Sequence, residues 1–337
     1  MSSIEPKVFF RCDGYLDIGL GHLNRCINFA NVLEDEGIGC LFVISSKSQE
    51  NFTRLYPNYK FKILEDSIKN SLSEYQNEES KIVVFDTYQY DKNILDDLKN
   101  SNFTCLAFDD YGEKNDWNLT GIINSSISAF SIPYNEKLKE NSMIGPEFLL
   151  LRSEFEAVKR VGRKVSKDFS ISITMGASDP DDWTQKIALI INEIECVKSI
   201  NLIYGPLVDS EKVKNVLEVV PENSNIYHCP DNLLEIFQSS HFAITSGGTT
   251  CNELYFLGVP MMVLVQSKDQ IYNARAIAEL GIGSNLGEQD QLDSNEILEN
   301  VKKFASNLED YHGFKTVNLI ENKERIVNYF RSFFNES

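Results

Sequence analysis

A histidine set into a glycine-rich turn is the strongest candidate for chemistry in this chain of 337 residues: Ile18-Gly19-Leu20-Gly21-His22-Leu23-Asn24-Arg25. An imidazole titrates near neutrality, so His22 in such a turn can take a proton from water. Gly19 and Gly21 let the backbone pass close to a ligand and leave the first N–H groups of a following helix pointing at an anion. A phosphate loop is therefore the first expectation, and two patterns count against it. A dinucleotide fingerprint needs a third glycine where this chain has Asn24, and an acid after the second strand where it has Ser45 and Ser46. No Gly-Lys-Ser/Thr follows, which excludes a P-loop.

Three loops in the second half have the composition to meet a nucleotide. Met175-Gly176-Ala177-Ser178-Asp179-Pro180 is a small-residue turn suited to backbone contact with a pyrophosphate. Ser246-Gly247-Gly248-Thr249-Thr250 is a second such turn, with Glu253 one helical turn on, where a carboxylate can accept hydrogen bonds from both ribose hydroxyls. Gly258-Val259-Pro260 leads into an apolar run whose end delivers Gln266, Asp269, Gln270 and Asn273.

The elements that must carry these loops are legible as alternating patterns. Short β-branched and aromatic runs at 7–11, 40–45, 81–85, 104–108 and 121–123 alternate with helical periodicity, the signature of a parallel sheet covered on both faces. Gly145-Pro146 interrupts the rhythm. Arg152, Lys159, Arg160, Arg163, Lys164 and Lys167 then form a basic stretch that reads as a solvated connector helix. A second alternation follows at 169–174, 200–204, 225–229, 242–245 and 260–265. The expected fold class is α/β: two Rossmann-like, doubly wound domains facing a cleft, with ligands beyond the strand carboxyl ends. The expected boundaries are a first domain at 1–150, a connector at 151–168, a second domain at 169–320 and a C-terminal helix at 321–337. Phe330, Phe333 and Phe334 are expected to dock that helix onto another element.

A hydrophobic fraction of 42% is ample for two cores. The net charge of −18 repels nucleic acid and anionic membrane surfaces, so neither is expected as a partner. Seven cysteines, scattered and never spaced Cys-x-x-Cys, suit reduced thiols and a cytoplasmic setting. No apolar stretch approaches the roughly 18 residues of a membrane span. No His/Cys/Asp grouping has ligand spacing, so neither a metal nor another cofactor is expected. The chain is expected to be a monomer or weak oligomer.

The run from Ile244 to Pro260, with Asp269-Gln270 and Asn273-Ala274, resembles the nucleotide-sugar signature of the undecaprenyl-linked N-acetylglucosaminyltransferases of peptidoglycan synthesis. A closer resemblance is to the UDP-2,4-diacetamido-2,4,6-trideoxy-β-L-altropyranose hydrolases of pseudaminic acid biosynthesis and the related spore-coat polysaccharide proteins. Six places carry it: Arg11-Cys-Asp13 with 18–26; Asp86-Thr-Tyr88-Gln-Tyr-Asp91; Asp109-Asp110; Gly145-Pro146 with 149–155; Gly176-Ala-Ser-Asp-Pro180; and 244–273. The resemblance implies a GT-B fold and hydrolysis of a UDP-sugar with inversion and no required metal, the UDP-sugar being substrate and not cofactor. Carried onto this chain, UDP falls to Gly176, Ala177, Ser178, Ser246, Gly247, Gly248, Thr249, Glu253 and Gln270. Gly19, Gly21, Arg25 and Asn273 fall at the sugar. His22 is expected to activate water, Asp13 to orient His22, and Tyr88 to position sugar or water. Amides at 176–180 and 247–250 would meet the charge on departing UDP.

Two departures stand out: Ala177 replaces the family's usual second glycine, and Asn124-Ser125-Ser126 replaces a frequent Asp-Gln-Asn, a change expected to alter the sugar pocket. Asp86, Asp109 and Asp110 end strands, where carboxylates often cap the next turn. His228, His241 and His312 lack comparable settings and read as structural. A glycosyltransferase with a soluble acceptor and a non-catalytic nucleotide-sugar binding protein remain as alternatives. A membrane-bound acceptor is disfavoured by the excess of nine acids over bases in residues 1–150.

Overall fold

The computed structural model describes residues 5–76, 80–87, 93–156, 158, 168–216, 220–230 and 232–334. The chain divides into two compact units: residues 1–152 with 318–337, and residues 153–317.

The first unit is a seven-stranded parallel sheet in the order β3-β2-β1-β4-β5-β6-β7. Its strands are β1 (Pro6–Cys12), β2 (Gly39–Ile44), β3 (Phe61–Ile63), β4 (Lys81–Asp86), β5 (Phe103–Phe108), β6 (Gly121–Asn124) and β7 (Met143–Ile144). Every residue of β2 and β4 is buried, as expected of central strands covered on both faces. The helices before the unit boundary are α1 (Gly21–Asp35), α2 (Gln49–Leu55), α3 (Ile68–Ser71), α4 (Asn93–Lys99) and α5 (Glu136–Lys139). Helix α1 buries Leu23, Cys26, Ile27, Ala30 and Leu33, the three-and-four spacing of one helix face.

The second unit is a six-stranded parallel sheet in the order β10-β9-β8-β11-β12-β13. Its strands are β8 (Phe169–Thr174), β9 (Val197–Tyr204), β10 (Ser224–His228), β11 (Phe242–Ser246), β12 (Met261–Val265) and β13 (Gly283–Glu288). Helices α6 (Trp183–Ile191), α7 (Ser210–Val216), α8 (Leu233–Ser239), α9 (Thr250–Leu257), α10 (Ile271–Glu279) and α11 (Ser294–Ser306) connect and cover them. Ile171, Ile173, Leu202, Ile244 and Leu264 from four strands share one core with Ile187 and Ile191 of α6 and Val301 and Phe304 of α11.

Strands β3, β7 and β13 escape the sequence patterns for physical reasons. The first two have three and two residues, and β13 is a polar edge strand, Gly-Ser-Asn-Leu-Gly-Glu. Of the expected connector at 151–168, residues 157 and 159–167, with all its basic residues but Arg152, lie outside the described residues. The final helix α12 (Leu319–Ser332) belongs to the first unit, so the expected boundary at 320–321 is corrected to 317–318. Asn322, 2% exposed, donates to the carbonyls of Pro146 (3.0 Å) and Leu149 (2.9 Å). Tyr329 donates to the Asn141 carbonyl at 2.5 Å, and the Phe330 ring meets Phe29 of α1 edge-on at 6.5 Å. Phe333 packs on Tyr329, and Lys7 lies 5.5 Å from the Phe334 ring centre.

Phe330→Ala empties a fully buried ring site. The expected cost is about 3–5 kcal/mol to the first unit, read as an earlier urea transition of that unit with the second unit's transition in place.

Candidate functional site

In the first unit the candidate site grows from three neighbouring strand ends. Strand β4 pairs with β1, Cys12 opposite Asp86, so the turn after β1 lies beside the end of β4; β5 is the next strand over. Gly19, with φ +72°, adopts the left-handed conformation that lets this turn reverse into α1. His22, Arg25 and Cys26 then follow at spacings of three and four, one above the other on a single helix face. All three reach Asp86.

Asp86 is 1% exposed. Its Oδ1 meets His22 Nδ1 at 2.6 Å. Arg25 grips it with a parallel fork, Nε to Oδ2 and one terminal nitrogen to Oδ1, each at 2.5 Å. Cys26 Sγ donates to Oδ2 at 3.6 Å. The other terminal nitrogen of Arg25 donates to Asp110, just beyond β5, and the guanidinium carbon lies 4.6 Å from the centre of the Phe108 ring. Burial acts to raise the Asp86 carboxyl, but the Arg25 charge, the His22 contact and their hydrogen bonds outweigh it. The group is held well below the usual carboxylate range.

This ionisation assigns the histidine tautomer. A carboxylate has no proton to give, so Nδ1 must carry the hydrogen of the 2.6 Å bond, and in the neutral ring the lone pair is on Nε2. Arg25 also approaches Nδ1, at 3.2 Å; that longer contact cannot be a second bond accepted by a protonated nitrogen. An imidazole fixed in this way is built to accept a proton at Nε2 while a buried anion steadies the resulting cation.

One expected role is corrected. Asp13 does not orient His22. Its Oδ1 accepts from the Ser45 amide and the Ser48 hydroxyl, both at 2.7 Å, and its Oδ2 pairs with Arg11 at 2.7 Å, tying the end of β1 to the turn after β2. Burial opposes ionisation there, and the Arg11 charge with the Arg11 and Ser45 hydrogen bonds prevails, lowering the Asp13 carboxyl. Arg25 turns three of its five N–H groups inward, one on Nε and one on each terminal nitrogen, to Asp86 and Asp110. Asp109 behaves as a turn cap, accepting from the amides of Tyr111, Gly112 and Lys114. Tyr88 lies outside the described residues. The departure at 124–126 is internal: Ser126 donates to Asn124 Oδ1 at 2.6 Å, Asn124 donates to Tyr134 at 2.9 Å, and all three are buried.

In the second unit, two glycine turns converge. A Cβ at either Gly176 or Gly248 would lie 3.8 Å from the Ser246 hydroxyl, so the loops after β8 and β11 share that oxygen as a neighbour. The Gly247 peptide is held at both ends: its N–H donates to Gln270 Oε1 at 3.2 Å, and its carbonyl accepts from Asn273 Nδ2 at 2.9 Å. Gln270 Oε1 also accepts from the Gln266 amide at 2.9 Å. Through these bonds both side chains shape the loop.

The N-terminus of α6 already has its anion. Asp179, 4% exposed, accepts from the amides of Trp183 (2.8 Å) and Thr184 (2.9 Å). The amide of Gly176 meets Thr174 Oγ1 at 3.3 Å, and the Ala177 carbonyl accepts from Leu207. Ser178 lies in the same turn. At α9, by contrast, the amides of Gly248, Thr249 and Thr250 donate to no protein acceptor among the described residues. Glu253 stands half-buried in the first turn of the same helix. The start of α9 therefore presents helix-end amides to which an anion can bind.

Residues 170–327 match the family described as Glycosyltransferase family 28 C-terminal domain. The chain is 24% identical over 289 residues to the spore coat polysaccharide biosynthesis protein SpsG of Bacillus subtilis, covering 82% of each. It is 23% identical over 279 residues to the UDP-2,4-diacetamido-2,4,6-trideoxy-beta-L-altropyranose hydrolase of Campylobacter jejuni, covering 82% of this chain and 97% of that one. An uncharacterized protein of Methanocaldococcus jannaschii, MJ1062, is 26% identical over 275 residues; the match spans 78% of this chain and 56% of that protein's length. Among solved structures, MurG of Acinetobacter baumannii superposes with a TM-score of 0.65 at 12% identity, covering 99% of this chain and 100% of that one. The fold is GT-B, with two units of α/β architecture.

Asp86→Asn removes one partner of a buried ion pair and is expected to cost about 3 kcal/mol at neutral pH. Because the folded-state carboxyl is depressed, this contribution is complete above the unfolded value of about 3.9 and is lost as pH falls through the folded one. Urea titrations at several pH values should show the gap between the two proteins widest above pH about 4 and narrowing in acid.

Proposed function

We propose that this chain is an enzyme acting on nucleotide sugars, and that it hydrolyses the sugar–phosphate bond of a UDP-linked diacetamido-trideoxyhexose. The observation that carries the reading is the 2.6 Å bond from His22 Nδ1 to the buried Asp86 carboxylate, which makes Nε2 a base. Nε2 takes a proton from water as the water oxygen bonds to the anomeric carbon. The bond from that carbon to the β-phosphate oxygen breaks, UDP leaves with the electron pair, and the proton on His22 passes to solvent. Attack opposite the leaving group gives inversion. The amides of Gly248, Thr249 and Thr250 meet the charge growing on the diphosphate, and Glu253 accepts from the ribose hydroxyls. No step calls for a metal. The similarity to the Campylobacter jejuni hydrolase over 97% of its length supports the substrate class.

Transfer of the sugar to a soluble acceptor is the second reading, favoured by the match of 170–327 to glycosyltransferase family 28. Incubating the purified chain with UDP-linked diacetamido-trideoxyhexoses, without acceptor and with a chelator present, separates the two when UDP and free sugar are followed by NMR. Release of both supports hydrolysis; UDP binding without turnover across the panel rejects it. His22→Ala should lower kcat by about 10²–10⁴-fold while UDP affinity stays the same. Gly247→Ala should do the reverse. Its Cβ would sit 2.6 Å from Gln270 Cβ, displacing the loop, so UDP affinity measured by calorimetry should fall.

A further inference from the structure

We propose that Arg25 is a positioning residue whose fork fixes the rotation of the Asp86 carboxylate and thereby the proton on His22 Nδ1. The inference rests on reading His22 as the base. A carboxylate held by one bond can turn about its last side-chain torsion, a broad and soft rotation. Asp86 cannot, because Arg25 takes both of its oxygens in parallel at 2.5 Å, Oδ1 being the one that His22 uses. The guanidinium is itself fixed at a third point by Asp110 and on its face by Phe108. Each contact comes from a different element: Asp86 ends β4, Phe108 ends β5, Asp110 follows it, and Arg25 stands on α1 one turn after His22. Lysine could supply the charge at this place but not the planar, two-pronged grip.

The fork also settles which tautomer is cheaper. A hydrogen on Nε2 would leave Nδ1 facing a carboxylate oxygen at 2.6 Å with no proton between them, and Asp86 has no room to turn away. With the fork removed, Asp86 can rotate, the penalty shrinks, and the second tautomer becomes populated. In those molecules Nε2 already bears a hydrogen and cannot take one from water.

Arg25→Lys, Arg25→Ala and Asp110→Asn test this in the full chain labelled with ¹⁵N-histidine. The chain has four histidines, and the His22 signal is the one absent from His22→Ala. In the unmodified protein at alkaline pH, Nδ1 should resonate as a protonated nitrogen and Nε2 as an unprotonated one. Arg25→Lys should show the two averaged toward each other, with kcat down about tenfold to a hundredfold and KM unchanged. Guanidinium ion added to Arg25→Ala should restore turnover. Asp110→Asn, which keeps the fork on Asp86, should give a smaller effect in the same direction. The inference is overturned if Arg25→Lys keeps a single Nδ1–H tautomer and normal kcat. It is equally overturned if kcat falls only in step with the folded fraction measured by circular dichroism and guanidinium restores nothing; should Arg25 variants not fold, an unchanged tautomer and kcat in Asp110→Asn overturn it. If the unmodified chain turns over no UDP-sugar, the hydrolase reading fails, while the tautomer spectra still decide the role of Arg25.

Discussion

A carboxylate buried at the end of β4 is the constraint on which the first unit's chemistry depends. Burying Asp86 without partners would cost several kcal/mol, so the surrounding fold must deliver donors to both of its oxygens. One helix supplies them. His22, Arg25 and Cys26 reach it from the first turns of α1, whose N-terminal dipole also favours a nearby anion. The phase of α1 is set in turn by its apolar face, Leu23 to Leu33, and by the turn at Gly19. A stability requirement and a chemical one thus converge on the same atoms: what satisfies the buried anion also orients the imidazole.

The second unit solves a different problem. Its loop at 246–250 must hold several backbone N–H groups unpaired, an arrangement a flexible chain would relax by turning them elsewhere. The Gly247 peptide is pinned at both ends by Gln270 and Asn273 from the start of α10, and the side chains that immobilise it come from beyond the following strand. The neighbouring turn is treated in the opposite way. Asp179 fills the start of α6 with a carboxylate from the chain itself, so only one of two similar-looking glycine turns presents its helix end.

Much of this was legible in the residues. Strand-like runs alternating with helical patterns specify parallel sheets, and ten of the thirteen strands among the described residues fall on such runs. His22 stood out because a titrating side chain in a glycine turn is unusual. Its partner did not, because Asp13 is nearer in sequence and Asp86 is 64 residues away. Only the strand order, with β4 beside β1, brings Asp86 under α1. The spacing of His22, Arg25 and Cys26 already announced a common face, but not what that face would meet. Gln270 and Asn273 were legible as polar residues at a strand end; whether they would touch a ligand or the neighbouring loop depends on register, which periodicity does not carry. Asp179 shows the same limit, since a small-residue turn reads alike whether its helix is capped internally or left open.

The return of the chain to its first unit at residue 318 makes the 153–317 segment an insertion within a split domain. During synthesis on the ribosome the seven strands of the outer domain emerge early, yet the α12 ring that packs on Phe29 is translated only after the inserted domain. The inserted domain is contiguous and can complete its core while the outer one still waits for its closing helix. The order of maturation is thus inverted relative to the order of the sequence.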